Sequence, residues 1–495
     1  MDGYCCCYSM HSRGFIKMAT ATSRDDMCYR PQPQGAYASD GVGLEALARS
    51  FLGRLPQSTR KLLVDYAGAL RNDFSTVCSG TDSPVLCIAA FQAACRHLLG
   101  CAPLATHRFS CEKSVEKQAF LKAMYDLNAL FDDVQCLTQA AATDRVSDTD
   151  MPIPRCKGTI GGFPCTDVAN LNIHASQNKE CVASGSLRTG GVFQKIIEYL
   201  QHHDLDWAVL ENVLGLRRTN SSGCSNLQSC RESLRAAGYF VQVLELDSLM
   251  FGQLHSRGRL YLVCIKLKLL EDVNVDENLA GNMLRKTMDR LVGMSSVDID
   301  DVILPEAHPL VQRYMRQLME EPAAHSSSSR SDEHVGKRLK GSSWAAAHAA
   351  KFASAGLDWT QATPFKDPDL RQLFPGVRAL TDRQIDVLQA SGVSLPDAQR
   401  RVVDVSMSID WASSTVGRAG CFSSGSQLWL GHRGRLSLGV EALRMMNIRF
   451  SNEKLLESFP DALLRDLAGN AFDGSSFMAV WVALSCMLAF LDSRR

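Results

Sequence analysis

Gly158-Thr-Ile-Gly-Gly-Phe-Pro-Cys-Thr-Asp-Val-Ala-Asn-Leu171 (GTIGGFPCTDVANL) runs out of an apolar, strand-like segment into two glycines, a Phe-Pro pair and a cysteine. Glycine removes the Cβ and lets other groups come close. Pro164 fixes its own φ and keeps Phe163 extended. The stretch therefore reads as the end of a strand followed by a rigid corner that presents the Cys165 thiol. A lone cysteine is also an ordinary small core residue, so the surroundings have to decide between the two.

On either side of this corner, short apolar runs alternate with helical patterns. FSTVCSG, HRFSCE, KGTIGGF, LDWAVLEN and GRLYLVCIK read as strands of a buried sheet. PVLCIAAFQAACRHLL, SVEKQAFLKAMY, GVFQKIIEYLQHH and SNLQSCRESLRAAG read as helices. Strands alternating with helices predict βαβ units, an α/β fold and a mostly parallel sheet. Ligands of such sheets sit at the carboxyl ends of the strands. Gly80, Glu112, Cys165 and Glu211 all fall at those ends.

The chain has 495 residues, enough for a large core and more than one unit. Lys plus Arg equals Asp plus Glu at 53 each, so any polyanion site must be a local patch. The 18 cysteines are scattered without a C-x-x-C pair, which favours free thiols in a reducing compartment over a disulfide framework. Zinc-spaced ligand pairs are missing, and no metal is expected. FMAVWVALSCMLAFL near the C-terminus is too short for a membrane span and reads as a buried helix. Residues 1–40 lack periodicity and read as a disordered tail, and 325–343 as a Ser-rich linker carrying the basic cluster Lys337, Arg338 and Lys340.

Each strand end admits a functional and a plain reading. Gly80 could let a nucleotide-like ligand approach a helix N-terminus, or simply make a βα turn. Glu112 could accept hydrogen bonds from ribose hydroxyls, or it or Ser114 could cap the next helix. Asp133 could follow a third strand or sit in a surface turn. Cys165 and Glu211 at neighbouring strand ends suit a nucleophile and an acid. Arg257 and Arg259, alternating on one strand face, could hold an anion or a carbonyl.

In order along the chain, STVCSGTDSP, FSCEKS, FDDV, GGFPCTDVA, LENVLG, FGQLHSRGRLYLV, RLSLGVEALRMMNI and LAGNAFDG resemble the motifs of the cytosine-5 DNA methyltransferase family. The resemblance spans about 66–268 and 433–495. It departs from the family pattern at Asp82, where a second glycine is usual, at His255, where Gln is usual, and at Leu254, where Pro is usual. It implies a Rossmann-like catalytic domain over 41–270, completed by 433–495, with an inserted target-recognition segment at 271–432. It implies S-adenosylmethionine as cofactor, held by Ser79, Gly80, Thr81, Asp82, Glu112, Lys113, Asp133, Val134, Pro164, Asn470 and Ala471. Catalysis would fall to Cys165 as nucleophile, Glu211 on the N3 and amine edge of cytosine, and Arg257 and Arg259 near O2, with Arg259 preferred for O2. The loop Thr166–Arg188, with His174, Lys179 and Arg188, would close behind a base flipped out of duplex DNA. A nuclear location follows from that substrate; the oligomeric state does not. Two other readings stay open: a transfer-RNA cytosine methyltransferase, which CFSSG at 421–425 faintly favours, and a catalytically silent regulatory protein.

Overall fold

Seven strands form the central sheet of the protein in the order β3-β2-β1-β6-β7-β9-β8. The structure, a computed structural model, describes residues 28–32, 43–67, 72–103, 105–221, 223–293, 297–320, 343–354, 356, 372–412 and 414–495. Most of the tail 1–40, nearly all of the Ser-rich stretch 325–343, and Lys337, Arg338 and Lys340 lie outside the described residues. The sheet strands are β1 (Asn72–Val77), β2 (Ala105–Cys111), β3 (Leu130–Phe131), β6 (Gly158–Gly162), β7 (Trp207–Val213), β8 (Tyr239–Leu246) and β9 (Arg259–Lys266). A hairpin of β4 (Ala141–Asp144) and β5 (Thr149–Pro152) intervenes before β6. The five strands β3, β2, β1, β6 and β7 run parallel, and β9 joins antiparallel to both β7 and β8.

The α/β expectation therefore holds, with the strands and the four helices at the expected places: Ser83–Leu99, Val115–Met124, Leu187–His202 and Asn226–Ala236. The strand β8 was not anticipated. Its run GYFVQVLEL follows a helix closely and returns through residues 247–258 to pair antiparallel with β9, so the two strands do not form a βαβ unit.

The C-terminal apolar stretch is a helix, Gly474–Asp492, nearly every residue of which is buried. Asp461–Asp492 is long and apolar enough to cross a membrane, yet 94% of its apolar window is buried inside the protein. Trp481 packs on Trp207 of β7 at 5.5 Å between ring centroids and on Phe74 of β1 at 6.2 Å. The helix is thus the hydrophobic backing of the sheet.

Two boundaries differ from expectation. Residues 28–32 do not belong to a loose tail. Tyr29 pairs with the free edge of β8, donating its N–H to Val243 (3.0 Å) and accepting from Glu245 (2.8 Å), and its hydroxyl reaches Asp289. Further along the chain, packing does not change at residue 270. The helix Glu277–Leu291 buries Ala280, Leu284 and Met288 in the same core as the helix Gly474–Asp492. Its hydrophobic face is visible in the sequence, but its partners are distant in the chain.

The segment that follows builds a second sheet in the order β11-β10-β12-β13, from β10 (Arg401–Asp404), β11 (Ser414–Val416), β12 (Leu428–Leu430) and β13 (Arg435–Leu436). Strand periodicity splits its side chains between two cores. Val402, Leu428 and Leu430 share one core with Phe120 and Leu443. Val403 and Trp429 face a small separate core with Ile385 and Leu388.

Candidate active site at the strand ends

Strands β6 and β7 lie side by side in a register that puts Gly162 against Glu211. A Cβ on Gly162 would stand 3.2 Å from the Phe472 ring and 3.4 Å from the Glu211 carboxylate, and one on Gly161 would stand 2.6 Å from Val77. The glycine pair lets the strand end approach Glu211 closely. The chain then turns through Phe163 and Pro164 to Cys165. The buried Asn212 amide donates to the Phe163 carbonyl at 2.9 Å, and the Cys165 carbonyl accepts from Val168 (3.1 Å) and Ala169 (2.9 Å). The corner is held on both sides of the thiol. Asp167 accepts the Thr189 N–H at 2.7 Å and ties the start of the following loop to the helix Leu187–His202. Within that loop His174 and Arg188 are exposed and Lys179 is half-buried.

Arg259 opens β9 and faces Val213, two residues beyond Glu211, on the same face of the sheet. Its Nε lies 2.9 Å from the Glu211 carboxylate, with both side chains largely shielded from water. Burial lifts the Glu211 carboxyl above its ordinary range, although Arg259 and Arg257 pull it down. Burial and the Glu211 charge likewise raise the Cys165 thiol, against the pull of the two arginines. The resting site thus favours a protonated thiol.

Arg257 is not on the strand face with Arg259, because β9 begins only at Arg259. Its guanidinium is buried and donates to the carbonyls of Ala471 (2.7 Å), Gly469 (3.0 Å) and Phe422 (3.4 Å).

The loop after β1 is pinned from several directions. Asp82 takes the left-handed conformation at φ 50° and ψ 33°, which a glycine would adopt at no steric cost and which Asp tolerates. The Ser110 hydroxyl donates to its carboxylate at 2.5 Å. Ser79 bonds the Thr76 hydroxyl at 2.9 Å, and the Thr81 carbonyl accepts from the Tyr125 hydroxyl at 2.5 Å. These three hydrogen bonds fix the loop. Glu112 accepts the N–H groups of Gly80 and Ser114, each at 2.9 Å. Ser114, not Glu112, caps the next helix by accepting from Lys117. Asp133 caps a short turn through Gln135 and pairs with the exposed Lys113 at 2.8 Å, while Val134 is buried. Asn470 is exposed and folds its amide back onto Asp466 at 2.9 Å, whereas Ala471 is buried.

His255 is fully buried, its Nε2 3.5 Å from the Asp473 carboxylate. Burial and the nearby arginines push the imidazole down to about 3, and burial pushes Asp473 up to about 6. Asp473 also caps the helix Gly474–Asp492 through the Ser476 N–H. Sequence reasoning passed over Asn212, Asp167 and Asp473. Asn212 stands inside the quoted LENV, and Asp473 sits just before an apolar helical run, a usual capping position.

The adjacent strand ends of a mostly parallel sheet thus carry a cornered thiol, a buried acid and an arginine. The chain belongs to the C-5 cytosine-specific DNA methylase family, whose model matches residues 100–354, just over half of it. It is 27% identical over 473 residues to the DNA (cytosine-5-)-methyltransferase DMT5 of Cryptococcus neoformans, covering 90% of this chain and 18% of that one. It is 23% identical over 486 residues to DMT5 of Verticillium dahliae, covering 86% of this chain and 20% of that one. The chain therefore spans about a fifth of the length of these fungal relatives. Among solved structures it is similar to the Schizosaccharomyces pombe Dnmt2 methyltransferase, at 13% identity over 86% of this chain and 98% of that one, with a TM-score of 0.38. It is also similar to an Entamoeba histolytica methyltransferase, at 9% identity over 84% and 98%, with a TM-score of 0.42.

The residues at the ends of β1, β2 and β3 fit the family's cofactor, S-adenosylmethionine. Each Glu112 oxygen takes one backbone N–H and keeps acceptor capacity for a ribose hydroxyl. Asp133 adds a second, partly exposed carboxylate at the neighbouring strand end.

Proposed function

We propose that this protein methylates carbon 5 of cytosine in DNA, with Cys165 as the covalent nucleophile. The observation that carries the reading is the convergence of Cys165, Glu211 and Arg259 at adjacent strand ends, with Glu211 and Arg259 paired at 2.9 Å. S-adenosylmethionine, when bound, supplies an activated methyl group for carbon 5. Gly80, Glu112 and Asp133 would hold it, with the turn Asn470–Ala471 closing the site.

The protein's own part is the activation of carbon 5. The Cys165 thiolate adds to carbon 6, forming the C–S bond and moving electron density to carbon 5. Loss of the carbon 5 proton and expulsion of the thiolate later restore the ring. A protonated Glu211 donates to N3 and stabilises the adduct, and Arg259 donates to O2. The two raised pKa values are linked. With one proton shared between the pair, placing it on Glu211 leaves burial alone to raise the Cys165 thiol, and the arginines then pull it toward the thiolate.

Carbon 6 is hidden inside a duplex, so the base must flip out, at a cost of a few kcal/mol. The Thr166–Arg188 loop beside Cys165 and local phosphate contacts offset that cost. A DNA substrate implies work in the compartment that holds the DNA, the nucleus in a eukaryotic cell. The test is a competition in which duplex DNA and transfer RNA share one limiting pool of labelled cofactor at equal cytosine concentration. Label should accumulate on DNA; label confined to transfer RNA would overturn the substrate assignment.

A further inference from the structure

Arg257 joins three stretches that are far apart in sequence, and none of its bonds goes toward the open site. It is 3% exposed. Two of its acceptors, the Gly469 and Ala471 carbonyls, flank Asn470, and the third is the Phe422 carbonyl of the recognition segment. Guanidinium geometry suits this role, because a planar fork can hold several carbonyls at fixed angles, which an ammonium cannot.

Two further contacts bring the same three stretches together. The Ala419 N–H donates to the Leu254 carbonyl at 2.8 Å, tying the recognition segment to the backbone just before Arg257. Gly469 packs directly on the recognition backbone, since a Cβ there would stand 2.2 Å from the Ser424 nitrogen and 2.3 Å from the Ser423 carbonyl carbon. Residues 254–257, 419–424 and 469–471 thus meet without a gap. Next to them, Ser83 of the cofactor loop donates its hydroxyl to the Phe472 carbonyl at 3.1 Å.

We infer that Arg257 is a positioning residue that sets the turn Gly469–Ala471 against the cofactor loop and couples it to the recognition segment, leaving Arg259 alone to face the substrate. The inference rests on the proposed cofactor site. Substrate contacts that shift the segment around Phe422 then pull on the same guanidinium that places the cofactor turn.

The test uses S-adenosylhomocysteine, the demethylated cofactor, as a calorimetric probe of the full chain and of its R257Q and R257K variants. R257Q should weaken binding by roughly 5- to 150-fold, the ordinary range for coupling between two parts of a protein. R257K, which keeps a donor and a charge, should recover part of the loss. The alkylation rate of Cys165 by iodoacetamide should stay within about twofold of wild type in R257K, which keeps the positive charge near the thiol, and should slow in R257Q, which loses it. Amide exchange should quicken at 419–424 and 468–473 and stay unchanged in β6 and β7. General destabilisation would instead quicken exchange throughout. Wild-type affinity in R257Q would overturn the inference, as would slowed alkylation without any loss of affinity, which would leave Arg257 only an electrostatic effect on the thiol. If R257Q does not fold, R257K decides: wild-type affinity and exchange in it would likewise refute the role. Failure of the wild-type chain to bind the probe would sink the cofactor reading and this inference together, an outcome distinct from the others.

Discussion

Glu211 stands where burial and an arginine oppose each other, and its charge reaches the Cys165 thiol. Because that charge raises the Cys165 pKa, removing it should lower that pKa and speed alkylation at fixed pH. E211Q should therefore react faster with iodoacetamide at pH 7–8 while losing methyl transfer by about 100-fold or more, the scale of a lost general acid. Slower alkylation in E211Q would show that Glu211 supports the thiolate and does not oppose it. His255 and Asp473 make a second prediction. The folded-state pKa of His255 is about 3, below its unfolded value, so stability is lost as pH falls below about 6.5. That of Asp473 is about 6, above its unfolded value, so the folded state gains stability as pH falls through 6. The two trends oppose each other in wild type. H255Q removes only the first, so its stability relative to wild type should improve on acidification from pH 6.5 to 4, by up to about 1.4 kcal/mol per unit. Urea titrations across that range check it, and a pH-independent difference would contradict the burial account. Of these residues, Cys165 and Glu211 were legible from the sequence because Cys165 closely follows one recognisable strand and Glu211 lies near the end of another. The separation of Arg257 from Arg259 was not, since the start of β9 depends on tertiary pairing that an R-x-R spacing does not reveal.

At the level of elements, the helices and parallel strands were legible because their hydrophobic periods are strong and regular. Strand β8 was missed because its place depends on β9, and the docking of Tyr29 because a single β-bridge has no periodic signal. The helix Gly474–Asp492 was legible as buried, but its partners were not. Its contacts with Trp207 and Phe74 make Trp481 the hinge of that prediction. W481A should cost about 3–5 kcal/mol, the usual cost of removing a buried Trp, read from the urea midpoint. A loss under about 1 kcal/mol would mean that the helix does not back the sheet.

For the molecule as a whole, equal numbers of acidic and basic residues mean that the proposed DNA binding would have to come from a local surface. Affinity should still fall steeply with salt, as phosphate contacts release counterions, and a flat salt profile would point to another class of partner. The expected edge of the inserted segment at 270/271 does not coincide with a change in packing. The helix Glu277–Leu291 joins the catalytic core and β10 to β13 share side chains between two cores, contacts that composition does not encode. The central claim is covalent addition by Cys165, and the most direct measurement uses duplex DNA carrying 5-fluorocytosine, whose carbon 5 cannot lose a proton. With S-adenosylmethionine present, the wild-type chain should form a denaturation-resistant adduct that peptide mass spectrometry places on Cys165, and C165S should form none. An adduct on another residue, or full methyl transfer to ordinary cytosine by C165S, would contradict the account.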